Sequence, residues 1–219
     1  QVGLAADMMN RVGHLPDTTV DQMTASKSFY RQASDFMAPY KRILDVYTSR
    51  WFGNAPTRKG FEPAIEFLLR DDVEPWLANP STPVTAADYM NVQQVAATAL
   101  AAAAEKRFFH WELEFPEVFF APSRAGGQDV ELRKEGGFDA VVGNPPYGYR
   151  GIPSDAEKSY YAHRYVTHEY VFESYLFFTE VGTNLLVPAG YLGNILPHTF
   201  LSAANMSRFR AYLLDNNLL

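Results

Sequence analysis

Cysteine is absent from the 219 residues. Neither a disulfide framework nor a thiolate metal site can form, and the five histidines show no paired ligand spacing, so the chain reads as metal-free and cytoplasmic. Long apolar runs are also missing. The longest, Val95 to Ala104, is alanine-rich and far short of the roughly 20 residues that a membrane helix needs. No charged-then-apolar leader opens the chain, and the expectation is a soluble protein with no membrane partner. An excess of basic residues is lacking too: 19 Lys and Arg stand against 25 Asp and Glu, for a net charge of −6 and a pI near 5.4. Phosphate neutralisation supplies most non-specific affinity for nucleic acid, so this stretch is not expected to grip DNA unaided.

Apolar content, by contrast, is ample for a core, at 47% hydrophobic and 15% aromatic residues, in one domain or two small ones. Between Ser28 and Trp51 the residues Phe29, Phe36, Met37, Tyr40, Ile43, Leu44, Tyr47 and Trp51 recur at three- and four-residue steps. That spacing predicts a long amphipathic helix, ended by Gly53-Asn54-Ala55-Pro56. A less regular helix is expected over 61–77, and a third from Pro83, a first-turn proline, through alanines to Phe108. Together they predict a helical scaffold or insertion over residues 1–120, its aromatic side chains serving as core. Gly/Pro punctuation and small residues from Ala121 to Gln128 predict a linker over 121–137. The charges Asp129, Glu131, Arg133, Lys134 and Glu135 read as a solvated run, since the acidic residue that a metal nuclease places two positions before its lysine is missing.

The stretch with chemistry in it is Gly137-Phe138-Asp139-Ala140-Val141-Val142-Gly143-Asn144-Pro145-Pro146-Tyr147. Phe138, Ala140, Val141 and Val142 form an apolar segment too short for a helix, which predicts a buried strand. In an open α/β sheet ligands bind beyond the carboxyl ends of such strands, and Asn144 would sit at that end. Each proline fixes its own φ and pushes the preceding residue out of the α region, so the tip is stiff. A stiff pair of acceptors suits methyl transfer to an amino group conjugated with a ring, whose delocalised lone pair is a poor nucleophile. Hydrogen bonds from that amine to the Asn144 amide oxygen and the Pro145 carbonyl would draw the nitrogen towards tetrahedral geometry. Tyr147 would offer a flat face for a base swung out of a duplex.

At these residues the chain resembles amino-methyltransferases that use S-adenosylmethionine (SAM), above all the DNA adenine-N6 methylases of large restriction-modification proteins. The upstream segment Phe109 to Phe119, with His110, Trp111, Glu112, Leu113, Glu114, Phe115, Pro116, Glu117 and Val118 between, is similar to the stretch preceding the motif there. The resemblance implies Asn144, Pro145 and Tyr147 as the catalytic loop, and Pro146, Tyr147, Tyr149 and Arg150 as substrate contacts. It places Asn144 at the edge of the SAM pocket and makes DNA the partner of the full-length protein. The same tetrapeptide occurs in protein-glutamine methyltransferases and close variants in ribosomal guanine-N2 methyltransferases; these remain alternatives, as does a non-catalytic interaction module. The implied fold class is α/β, with the helical half followed over 138–219 by part of a Rossmann-like SAM-methyltransferase sheet.

After the motif, Tyr160, Tyr161, His163, Arg164, Tyr165 and His168 interleave aromatic and basic side chains. This composition fits either a mobile substrate-facing loop or tyrosines tucked beneath one. Tyr170 to Leu186 predicts a helix, Gly190 to Pro197 a second buried strand, and Thr199 to Leu214 a further amphipathic helix, half of a doubly wound sheet. The glycine-rich turn with which the family holds SAM is not found, since the glycine pairs at 126 and 136 precede no helix. The chain is therefore expected to be a piece of a longer protein.

Overall fold

The computed structural model of the chain describes residues 1–54, 92–122, 130–148, 154–169 and 172–216. They fall into two compact units, Gln1–Lys134 and Glu135–Leu219. The helix expected over 61–77 and the start of the one expected at Pro83 lie outside the described residues.

The first unit is mainly helical. Helix α1 spans Val2–His14 and was not anticipated; α2 spans Val20–Ser49 and begins eight residues before the expected Ser28. The early start has a local cause. The Thr19 hydroxyl accepts the Gln22 amide at 3.3 Å while Gln22 Oε1 accepts the Thr19 amide at 3.2 Å, a capping box that satisfies two orphan donors. Apolar periodicity could not reveal it, because Val20 is exposed. Ala5 of α1 packs with Ala33 and Met37 of α2 and with Leu113 in a small core. Asn54, buried just past α2, donates from Nδ2 to Ser49 Oγ and to the Val95 carbonyl, both at 2.8 Å, and so pins α2 to helix α3, Val92–Lys106. Two single-turn helices follow, α4 (Trp111–Glu114) and α5 (Pro116–Phe119), with Lys41–Glu114 and Asp45–His110 pairs, each at 2.7 Å, joining the α4 region to α2. Strands β1 (Phe120–Pro122) and β2 (Val130–Leu132) pair antiparallel on either side of residues 123–129. The charged run behaves as a solvated one: Glu131, Arg133, Lys134 and Glu135 are all exposed.

The second unit runs strand, helix, helix, strand, helix. Strand β3 (Phe138–Gly143) pairs in parallel with β4 (Leu186–Asn194), and helices α6 (Asp155–Arg164) and α7 (Ser174–Asn184) lie in the crossover that a parallel pair requires. β4 begins four residues ahead of the expected Gly190. Its first part is irregular: between the pairs Phe138↔Leu186 and Ala140↔Tyr191, two steps on β3 face five on β4, and Ala189 takes a φ of +64°. Neither strand is buried on both faces, contrary to expectation. Val141 and Leu192 lie against Gly182 of α7, whereas Val142 and Tyr191 on the opposite face are 84% and 78% exposed. Burial therefore alternates, because among the described residues a helix covers only one side.

Two further expectations are corrected. The segment after the motif is not a loop throughout, since α6 starts on a second capping box, Ser154 with Glu157. Tyr161 and Tyr165 are half-buried and stack on Phe177 of α7 with centroids 4.8 and 4.9 Å apart, so they serve as core. Burial pushes the Tyr165 phenol up to about 12, so it remains neutral. The helix expected from Thr199 is two 3₁₀ turns, His198–Leu201 and Ala204–Met206, before α8 (Ser207–Asp215). Arg210 donates to the carbonyls of Phe200 at 2.8 Å and Ala203 at 2.6 Å, which satisfies them without a continuous helix.

Space beside β4 is tightest at Gly137. A Cβ there would lie 2.7 Å from the Leu185 carbonyl oxygen and 2.8 Å from the Val187 nitrogen, all backbone that cannot swing aside. Gly137→Ala is expected to destabilise the chain by about 1–3 kcal/mol, read from urea unfolding. An unchanged midpoint would contradict the register of β3 on β4.

Candidate active site

The carboxyl end of β3 is fixed by its neighbour. Gly143 pairs with Asn194, the Ile195 amide donates to the Gly143 carbonyl at 3.1 Å, and Asn194 Oδ1 lies 2.9 Å from where a Gly143 Cβ would stand. A side chain at 143 would displace the Asn194 amide, while the ladder itself brings the chain to Asn144 in close register with β4. The Asn194 side chain is itself steadied by Thr179 of α7, 3.4 Å from its Nδ2.

From this end the loop Asn144-Pro145-Pro146-Tyr147 projects without regular secondary structure. Asn144 is exposed, and its amide makes no hydrogen bond among the described residues. Pro145 is buried and Pro146 exposed. Tyr147 is 52% exposed, yet its position is constrained from two directions. Its hydroxyl donates to the Ile195 carbonyl at 3.2 Å, and its ring meets that of Tyr175 edge to face at 6.3 Å. Burial, reinforced by the charge of Glu173, holds the Tyr175 phenol above its usual range, so the partner ring stays neutral.

Beyond Tyr147, Gly148 adopts a φ of +71°, a left-handed backbone that side chains disfavour. The Glu173 carboxylate accepts its amide at 2.8 Å, and its carbonyl accepts the Ser174 hydroxyl at 2.8 Å and the Ser174 amide at 3.3 Å. Of the residues singled out from sequence, the fold thus brings Asn144, Pro145, Pro146 and Tyr147 onto one loop. Tyr149 and Arg150 lie outside the described residues. Glu173, Ser174 and the Ile195 backbone were missed. A helix was expected from Tyr170, but nothing local announces that Ser174, where it starts, reaches back to Gly148.

Among the described residues no cluster of acidic or histidine side chains could hold a metal ion, and no helix is long and apolar enough to cross a membrane. The model of the Eco57I restriction-modification methylase family matches residues 74–219, which includes all of β3, the loop and β4. The chain belongs to that family. It is similar to a protein of Methanocaldococcus jannaschii named as a candidate type II restriction enzyme and methyltransferase, 31% identical over 107 residues. It is also similar to a type II restriction enzyme and methyltransferase of Escherichia coli, RM.Eco57I, 33% identical over 85 residues. The matched stretches are 48% and 37% of this chain but 7% and 8% of those relatives. No solved structure matches.

The two constraints on Tyr147 are separable. Tyr147→Phe, which loses the bond to Ile195 but keeps the ring contact, is expected to cost about 1 kcal/mol in urea unfolding, and Tyr147→Ala more. Equal losses would mean that the ring contact contributes nothing.

Proposed function

We propose that this methylase-family chain is part of a longer restriction-modification protein and carries its catalytic loop for methyl transfer from SAM to adenine N6 in DNA. The observation that supports this best is the exposed Asn144 amide, unpartnered among the described residues, beside Pro145 at the carboxyl end of a parallel strand and followed by a tyrosine ring anchored by its own hydroxyl. Asn144 Oδ1 and the Pro145 carbonyl would each accept an N–H from the adenine amine. Both acceptors are uncharged, so they concentrate the nitrogen lone pair without raising the cost of bringing the amine in. With Pro146 beside it, the exposed face of Tyr147 would stack on the extruded base, a contact worth about 1–3 kcal/mol. Tyr149 and Arg150, next in the sequence, would add substrate contacts. A restriction-methylase family favours DNA over the protein-glutamine and ribosomal-guanine alternatives.

SAM, when bound, supplies an electrophilic methyl group on a sulfonium. The residues present fit only one side of its pocket: Asn144 can border it, but no glycine-rich turn and no acidic partner for ribose hydroxyls is placed beside β3 among the described residues. The net charge of −6 likewise calls for a basic DNA-gripping region elsewhere in the full-length protein.

Two outcomes follow. Asn144→Ala in the full-length protein is expected to slow DNA methylation by about a hundredfold to a thousandfold with unfolding unchanged, measured by incorporation of labelled methyl groups. Near-normal turnover would remove Asn144 from the site. The 219-residue chain alone is expected to fold yet to bind SAM more weakly than about 10 μM by calorimetry, and tighter binding would reveal a complete cofactor site within it.

A further inference from the structure

The far end of the loop is held by a clasp that the methylase reading leaves without a role. Glu173 occupies the N-cap position of α7 but makes no side-chain bond to its own helix. Its Oε2 reaches instead to the Gly148 amide at 2.8 Å, while the Ser174 hydroxyl and amide take the Gly148 carbonyl at 2.8 and 3.3 Å. Both peptide groups of one left-handed glycine are thus gripped by two consecutive residues from 25 or more positions along the chain. Tyr147 stands immediately before this clasp and is tied through its hydroxyl to Ile195. Its ring is therefore stretched between two anchors, one at the hydroxyl and one at the backbone.

We infer that Glu173 and Ser174 are positioning residues, which set the placement of the Tyr147 ring and with it the base that stacks there. The inference rests on the reading of this loop as catalytic. The core of the unit, built on Tyr175, Leu176, Phe177, Phe200, Met206, Phe209 and Leu213, does not include Gly148. Releasing the clasp should therefore free the loop while leaving that core packed. A charge-assisted bond from a half-buried carboxylate to a backbone amide is short and directional, which suits it to fixing a peptide plane. Displacing a reacting group by about 1 Å costs on the order of a hundredfold in rate, so a small loosening has a large readout.

The test uses the full-length protein, plasmid DNA and labelled SAM. Glu173→Ala is expected to lower kcat by about ten- to a hundredfold, with SAM affinity unchanged and the unfolding midpoint lowered no more than by Tyr147→Ala, and Glu173→Gln, which retains an acceptor, to recover most of the rate. In a Tyr147→Ala background Glu173→Ala should add little, because the residue acts through that ring. Failure of glutamine to rescue, multiplicative losses in the double variant, or SAM affinity falling in step with rate would overturn the inference. Should Glu173→Ala not fold, Ser174→Ala carries the same readouts. Asn144→Ala is measured alongside: activity retained there overturns the catalytic reading and this inference together, whereas activity lost there but retained in Glu173→Ala overturns the clasp alone.

Discussion

The parallel pairing of β3 with β4 is the constraint on which the second unit depends. A parallel pair cannot be closed by a tight turn, so the chain must leave the end of β3, travel through α6 and α7, and return alongside. The place where it leaves is the place where ligands of such sheets bind. Gly143 against Asn194 sets the last rung of the ladder, and Asn144 is the first residue beyond it. Pro145 and Pro146 then prevent the departing chain from coiling. Stiffness at the tip is thus built from one ladder and two rings, with no buried charge in the loop.

The rest of the unit serves to hold α7 beside that ladder. Tyr161, Tyr165 and Phe177 stack across α6 and α7, and buried Glu180 accepts the amides of Val166 at 3.1 Å and Thr167 at 2.9 Å, which secures the connection between the two helices. α7 in turn supplies three contacts to the loop region: Thr179 to Asn194, the Tyr175 ring to Tyr147, and Ser174 to Gly148. Aromatic side chains that looked suited to nucleic acid from composition alone are instead the packing that aims the loop.

How much of this was legible depended on the range over which the cause acts. The strand and its Asn-Pro-Pro-Tyr tip were readable because an apolar run and two prolines restrict the backbone within a few residues. The long α2 was readable from its apolar stripe, though its first turns were not, since they rest on Thr19 and Gln22. Helix α6 was hidden because Tyr160, Tyr161, His163 and Arg164 show no clean apolar period, although Ser154-x-x-Glu157 carried its start. The 3₁₀ turns before α8 depend on Arg210 reaching carbonyls seven and ten residues away, which periodicity cannot report. Strand burial was overstated because an apolar run does not say whether both faces find cover. The tethers on Tyr147 and Gly148 come from 25 to 48 residues downstream, and no local pattern encodes them.

The central claim is that this loop presents two uncharged acceptors to the amino group of an adenine in DNA. Its most direct test is single-molecule sequencing of modified bases in DNA from cells expressing the full-length protein, against cells expressing its Asn144→Ala variant. The account predicts N6-methyladenine at one recurring sequence context in the first and its absence in the second. Methylation confined to cytosine, or no modified adenine despite folded protein, would contradict it.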